Sequence, residues 1–529
     1  MTDTIPPELP EEDLHPSIAR NAAVLSLASI ISRALGMVRE IIIPHFYGAT
    51  GLVSAYALAE FVAKILYDLL VGGMLSAALV PVLSDYRRPE KRAEFARVIS
   101  VIFSAIAILA AAVVLIVEFF APQIVFLIGG DLSPEYQIVA IRLMRITAPV
   151  IWVFSASGGL AAILFARERF TMVALGDALY NLGVIIVVPL FHKQLGIEAL
   201  AVGMLLGGII QLTFRLPDMR GSGLRFTLNF RHPALKRVWV LYLPILVAVL
   251  VNIVQGGIDR RLASGTGDSS LAYMRTATTL YQLPHGLVAV AISMAALPSL
   301  SRWAAAKDWN AYKRTLAAGL RAVLVLVVPA AVFLWVLAEP TVRLLAEHGE
   351  FTPADTHWTY LTLRYYLIGL VFASVDWPLN FAYYARGDSK TPAIVGILAV
   401  GVYLVFALTL LPYLSFLGLA FADGMKQMAH AMMMIFLVYR WGGRLGHGVW
   451  RTALATAGAS AVMGVALYFS AGAIMARMGV AGLIPRVMAL AVPGVIGGAL
   501  YYFILRWLRV PEVDLLHRMV RRLVPGQRF

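Results

Sequence analysis

The chain turns on residues 29–49, SIISRALGMVREIIIPHFYGA, and residues 54–86, SAYALAEFVAKILYDLLVGGMLSAALVPVLSDY. Each is apolar over at least the roughly 20 residues a helix needs to cross a bilayer. Each nevertheless carries charge through its middle: Arg33, Arg39 and Glu40 in the first, Glu60, Lys64 and Asp68 in the second. A charge at the bilayer centre costs at least ~2.5–3.5 kcal/mol, so such residues face a bundle interior or a wet cavity. Spacings of four put Glu60, Lys64 and Asp68 on one helical stripe. Arg33 and Glu40, seven apart, share a face, with Arg39 about a quarter turn away. The Glu60–Lys64–Asp68 stripe fits a cavity wall or a ladder of ion pairs locking helices together. Arg33 and Arg39, with fewer acids nearby, favour a binding site.

Outward from this pair the pattern continues. Of 529 residues, 60% are apolar and 14% charged, which excludes an ordinary soluble domain and predicts an all-α polytopic membrane protein. Fourteen spans are expected, near 22–46, 52–85, 98–121, 138–165, 170–191, 197–217, 237–263, 269–301, 315–338, 356–385, 391–413, 416–439, 450–476 and 483–508. Gly72-Gly73 and Pro81 are the expected bend points of the second. Residues 1–21 are acidic and Pro-rich without an apolar core, unlike a cleavable signal peptide. The absence of cysteine excludes disulfides and thiolate chemistry. The net charge of +14 is explained by position: one set of connections carries twenty-two Lys and Arg, the other only Lys193, Arg343, Arg477 and Arg486. By the positive-inside rule both termini are expected in the cytoplasm, and nucleic acid is not needed as a partner.

The chain also repeats. SAALVPVLSDYRR (76–88) returns as MAALPSLSRW (294–303), and FARERFTMVALGDALYNLGV (165–184) as YARGDSKTPAIVGILAVGV (384–402), at offsets of 217 and 219. Six spans separate the copies, so the halves form a parallel repeat with the substrate site expected between them. The expected division is a tail (1–21), an N-lobe (22–217), a basic linker (218–236), a C-lobe (237–439), two extra helices (440–508) and a basic tail (509–529). In the second half, Asp259, Arg260 and Arg261 end the seventh span and Arg275 lies in the eighth. Arg33, Arg39, Arg260 and Arg275 are thus candidates to meet an anionic, phosphate-bearing substrate, because the guanidinium fork binds phosphate bidentately and stays charged. A solvated helix end with a local pair to Asp259 is the alternative for Arg260 and Arg261. Arg142, Arg145 and Arg364 are expected to reach a membrane surface or line an exit. Asp423 and Lys426 are expected to pair, and His430 to hydrogen-bond between helices. Neither a Walker A sequence nor HExxH nor GxSxG occurs, so no enzyme, cofactor or metal is expected.

SRALGMVRE (32–40), YGATG (47–51) with SAYALA (54–59), and GGMLSAALVPVLSDY (72–86) together resemble the lipid II flippase family, MurJ/MviN, of the multidrug/oligosaccharidyl-lipid/polysaccharide exporter superfamily. RERFTMVALGDALYNLGV (167–184), IDRRLAS (258–264), YQLPHGL (281–287) with ALPSLS (296–301), and YYARGDSKTP (383–392) continue it in order. The resemblance implies fourteen helices and export of an undecaprenyl-diphosphate-linked substrate, lipid II, across the bacterial cytoplasmic membrane by alternating access. It further implies that the last two helices form a groove for the lipid tail. The family's Ser-Arg falls on Ser32 and Arg33, and its Arg-Asp on Arg39 and Glu40. Its acid at the start of the second helix is Ser54 here, its arginine further along is Tyr67, and its eighth-helix base is Thr279, preceded by Thr278. Arg275 is the candidate to compensate. Asp259 is the candidate for the acid of a sodium site ascribed to the family, but the eleventh helix offers no acid or amide. The resulting expectation is a monomeric flippase in which Arg33, Arg39 and Arg275, with Ser32 and Arg260, bind diphosphate while Glu40 limits their affinity. Glu60, Lys64, Asp68, Asp259 and Arg261 would line or gate the cavity, and the coupling ion is left open. A flippase for another lipid-linked oligosaccharide, a drug or metabolite antiporter on the same fold and a non-transporting cell-wall scaffold are the rival readings.

Overall fold

The computed structural model describes residues 16–513 apart from 72–78, 80–81, 84–85, 87–91, 168, 170 and 444. The expected bend points Gly72-Gly73 and Pro81, most of the first motif copy at 76–88, and both chain ends lie outside these residues. Among the described residues every regular element is helical. The first half contains α1 (Pro16–Tyr47), α2 (Gly51–Leu70), α3 (Arg92–Gly129), α4 (Pro134–Ala166), α5 (Thr171–Leu195) and α6 (Glu198–Arg215). The second contains α7 (Pro233–Ser264), α8 (Ser270–Pro284), α9 (Ala291–Ala305), α10 (Trp309–Val336), α11 (Ala338–Leu345), α12 (Pro353–Ala385), α13 (Lys390–Leu414) and α14 (Phe416–Gly442), followed by α15 (Val449–Met478) and α16 (Leu483–Trp507).

Nine stretches of the described residues are long and apolar enough to cross a membrane. Apart from the eight-residue α11, the helices that miss that mark, α1, α2, α7, α12 and α14, are those holding Arg39, Glu60, Asp259, Asp376 and Asp423. Leu115 and Phe119 of α3, Phe469 of α15 and Phe503 of α16 are exposed, a surface suited to acyl chains rather than water. The chain is therefore a multi-pass helical membrane protein.

The helix boundaries carry the repeat. The limits of α1 recur 217 residues later in α7, and those of α4 and α5 recur 219 residues later in α12 and α13. Even a turn recurs: Gly196 and Ser415, also 219 apart, both have positive φ, 55° and 54°. The short link between antiparallel helices demands a left-handed residue there; glycine adopts it freely, whereas serine is strained. Ser133-Pro134 and Thr352-Pro353 likewise open equivalent helices, the second with a capping box in which Thr352 and Asp355 satisfy each other's backbone N–H.

Two features differ from the sequence expectation. The eighth span is not one α-helix: α8 and α9 are joined by a π-helical segment, His285–Val290, directly after Pro284. Proline removes a backbone donor and crowds the preceding turn, which favours the wider spacing. The basic connections also include one arginine that is not solvated. Arg215 is buried at the end of α6 and donates to the Ser157 carbonyl (2.9 Å), the Ser157 hydroxyl (2.6 Å) and the Val173 carbonyl (3.2 Å). On the basic-poor side, Arg343 and Arg486 meet Glu347 at 3.4 and 2.8 Å, and Arg343 also meets Glu339 at 2.7 Å.

The chain forms two compact units. One holds the described residues of Met1–Ile42, Ala59–Ala121 and Arg142–Val249; the other holds those of Ile43–Leu58, Pro122–Ile141 and Leu250–Phe529. This division crosses the boundary between the sequence halves because connections of the first half bond to the second. Within the second unit, the Glu350 amide donates to the His45 carbonyl at 3.0 Å. The Ser133 amide and hydroxyl donate to Asp268 at 2.9 and 2.6 Å, and Arg261 pairs with Asp131 at 2.9 Å. Shifted by the repeat, the first and last of these are one contact made twice. In the same unit α15 and α16 pack on α10, with Leu467, Tyr501 and Val325 in one apolar core and the Tyr501 hydroxyl donating to the Val325 carbonyl.

Within the first unit, α5 and α6 approach backbone to backbone. A Cβ on Gly183 would strike Gly203 and Gly207, and one on Gly207 would strike Tyr180, the close-contact pattern of small residues four apart. Gly207→Val is expected to destabilise the purified protein by about 1–3 kcal/mol through overpacking. Gly401→Ala, where nothing lies within 4 Å, is expected to be neutral in the same melting experiment.

Candidate functional site

In the first unit the site is built around Arg39. Its Nη2 and Nε donate to Glu40 Oε1 at 2.6 and 3.1 Å, and both side chains are largely buried. The guanidinium also lies 5.4 Å from the centre of the Tyr180 ring. Behind Tyr180 runs an aromatic row, with Phe154 at 5.1 Å from it and Tyr67 at 5.5 Å from Phe154, each edge to face. Tyr67 is the position where the family's arginine was expected. Asn181, the neighbour of Tyr180 on α5, donates to the Ser32 carbonyl at 3.4 Å, and Gly36 lets α1 approach it. The exposed Arg33 shares α1 with this group. On α2, Lys64 donates to Glu60 at 2.7 Å. The expected stripe is graded: Glu60 is buried, Lys64 half-buried and Asp68 exposed.

In the second unit Asp259 of α7 is the centre. The Tyr403 hydroxyl of α13 donates to its Oδ1 at 2.5 Å, and Arg260 Nη1 stands 3.9 Å from its Oδ2 while donating to the Gly256 carbonyl. Lys426 of α14 pairs with Asp423 at 2.5 Å and lies 5.9 Å from the Tyr403 ring centre. Arg261 does not join this group; it points to Asp131 and the Phe126 ring. Arg275 of α8 lies 5.8 Å from the Tyr56 ring centre, and the Ser54 hydroxyl accepts the Ala272 amide at 3.2 Å. Thr278 and Thr279 both donate back to the Arg275 carbonyl, as threonines inside helices do.

Sequence reasoning missed Tyr403 and the aromatic row, because aromatic side chains at membrane depth read as packing until a charge is found against them. A third polar group was only half anticipated. His430 Nδ1 meets Asp376 Oδ1 at 2.7 Å and Asn380 donates to Asp376 Oδ2 at 2.6 Å, tying α14 to α12. The YYARGDSKTP motif is architectural: Arg386 stacks on Trp441 at 3.7 Å, and Asp388 accepts the amides of Lys390 and Thr391 at the start of α13. Partial burial pushes the Asp388 carboxyl up, but the Thr391 hydroxyl, those amides and Arg386 outweigh it and hold it below its ordinary range.

The second-half cluster does not fit a sodium ion. A hard cation needs several oxygen ligands, whereas the Asp259 oxygens face a donating hydroxyl and a guanidinium, with the Lys426 ammonium close by. Among the described residues no set of three acidic or histidine side chains is gathered for a metal. Exchanging sodium for potassium at constant ionic strength is expected to leave the melting temperature unchanged. Tyr403→Phe is expected to cost about 1.5–3 kcal/mol, the range for a hydrogen bond to a charged group.

The lipid II flippase MurJ family model matches residues 43–489. The probable lipid II flippase MurJ of Haemophilus influenzae is 28% identical over 432 residues, covering 78% of this chain and 84% of the relative. That of Thermotoga maritima is 26% identical over 502 residues, covering 95% and 99%. Among solved structures, lipid II flippase MurJ in an inward closed conformation superposes with a TM-score of 0.79 at 23% identity over 92% of this chain and all of the other. An inward-facing multidrug resistance MATE family transporter of the MOP superfamily reaches 0.68 at 15% identity, covering 80% and 98%. The structural likenesses share the fold that places Arg39 and Asp259 on charged helices, and the family match spans both halves: the chain belongs to the MurJ family.

Proposed function

We propose that this chain is a lipid II flippase of the bacterial cytoplasmic membrane, moving the lipid-linked precursor outward by alternating access with both termini in the cytoplasm. The family match over 43–489 carries the reading. The Arg39–Glu40 pair supports its chemistry. Without substrate, Glu40 neutralises Arg39 at 2.6 Å and Tyr180 holds the guanidinium plane. A diphosphate offers more negative charge than one carboxylate and matches the same fork bidentately, so it displaces Glu40 from Arg39. The carboxylate then competes for the arginine and favours release. Arg33 and Ser32 on the same helix, and Arg275 and Arg260 in the second half, are the further residues assigned to the headgroup. The α15–α16 pair is assigned to the polyprenyl tail.

Complementation of a strain whose only lipid II flippase is switched off tests this. Arg39→Ala is expected to abolish growth at normal membrane expression, Arg39→Lys to restore part of it, and Arg275→Ala to impair it. Glu40→Gln is expected to tighten lipid II binding to the purified protein while slowing turnover. Wild-type growth of Arg39→Ala would remove the diphosphate role.

A further inference from the structure

The linker between the halves does more than connect them. Residues after Gly223 run extended along the first turns of α3, held by the Arg225 amide donating to Ser100 Oγ and the Thr227 amide donating to Ser104 Oγ, both at 2.9 Å. Two amides two residues apart bond to two serines four apart on a helix, which sets the linker's register. Side chains of an extended chain alternate. Arg225, Thr227, Asn229 and Arg231 border a cleft of about 720 Å³, which Arg97 of α3 and His232 also border. The intervening Phe226, Leu228 and Phe230 are exposed, at 64%, 72% and 37%. No acidic residue borders the cleft among the described residues. Three arginines thus surround a headgroup-sized space beside a row of exposed apolar side chains.

We propose that this cleft binds the phosphate of an anionic phospholipid of the cytoplasmic leaflet, whose acyl chains lie along Phe226, Leu228 and Phe230. The inference rests on the basic connections facing the cytoplasm, where anionic lipid is attracted by each Lys or Arg near the surface. It does not rest on flipping. A soluble phosphate would use the arginines but not the apolar row, and that difference identifies a lipid.

The test is native mass spectrometry of the full-length protein in detergent, titrated with phosphatidylglycerol or phosphatidylcholine. The wild type is expected to retain phosphatidylglycerol preferentially. Arg225→Gln and Arg231→Gln, both at exposed positions, are each expected to weaken it about fivefold, and the double variant about 25-fold. Arg440→Gln, an exposed arginine on another connection, is expected to change nothing. Phe226→Ser with Leu228→Ser is expected to weaken phosphatidylglycerol although all three arginines remain. Equal retention of the two lipids, an unchanged double variant, the same loss in Arg440→Gln, or displacement of the lipid by millimolar inorganic phosphate would each overturn the proposal. Melting curves of every variant confirm that the folded protein is being compared.

Discussion

A charge placed in hydrocarbon must be answered within a few ångströms, and the helices of this chain are arranged around that constraint. Arg39 meets Glu40, Lys64 meets Glu60, Lys426 meets Asp423, and Asp376 is shared between His430 and Asn380. Most of these pairs lie on a single helix, one to four residues apart. A pair within one helix costs little entropy to hold and leaves that helix free to move relative to its neighbours. Pairs between elements, such as Arg261 of α7 with Asp131 in the α3–α4 turn, instead fix one element against another. A transporter needs both kinds: local neutralisation where helices must slide, and cross-links where they must stop.

The repeat supplies the cross-links in duplicate. Because α1 and α7, and α4 and α12, are the same element at a fixed offset, a bond between a first-half connection and a second-half connection can recur at the repeat-related place. His45 with Glu350 and Arg261 with Asp131 are such counterparts, within one residue of the repeat offsets. The chemistry has diverged, one being backbone to backbone and the other guanidinium to carboxylate, while the location has not. Divergence of this kind is expected when geometry is set by helix length and turn conformation. Gly196 and Ser415 show the same sharing of geometry: both halves keep the positive-φ turn although only one has glycine there.

What the sequence made legible follows from which signals are local. Helix positions, the repeat and the Asp423–Lys426 pair depend on hydropathy and on spacing within one helix, and they could be read directly. The π-helical segment after Pro284, the short α11 and the burial of Arg215 could not. Arg215 looks like any basic residue of a connection; only the Ser157 carbonyl brought against it by folding makes it structural. The same limit applies at the site. Arg39 stood out because its charge is conspicuous in an apolar helix, but Tyr180, which holds its guanidinium face, is one of many aromatics.

Ser54, Thr279 and Arg275 each have a contact that the fold supplies. Removing a single member of an intramembrane ion pair strands the other at a cost of several kcal/mol. Ser54 and Thr279 are neutral, so neither leaves a charge stranded. Ser54 is buried and accepts the Ala272 amide, a bond that a carboxylate would also have made. That keeps the start of α2 against the start of α8. Thr279 returns its hydroxyl to the Arg275 carbonyl at 3.1 Å. Arg275 carries the positive charge of α8, its guanidinium 5.8 Å from the Tyr56 ring centre. Hydroxyls thus serve at positions 54 and 279, and the charge at Arg275 lies against an aromatic face, the Tyr56 ring.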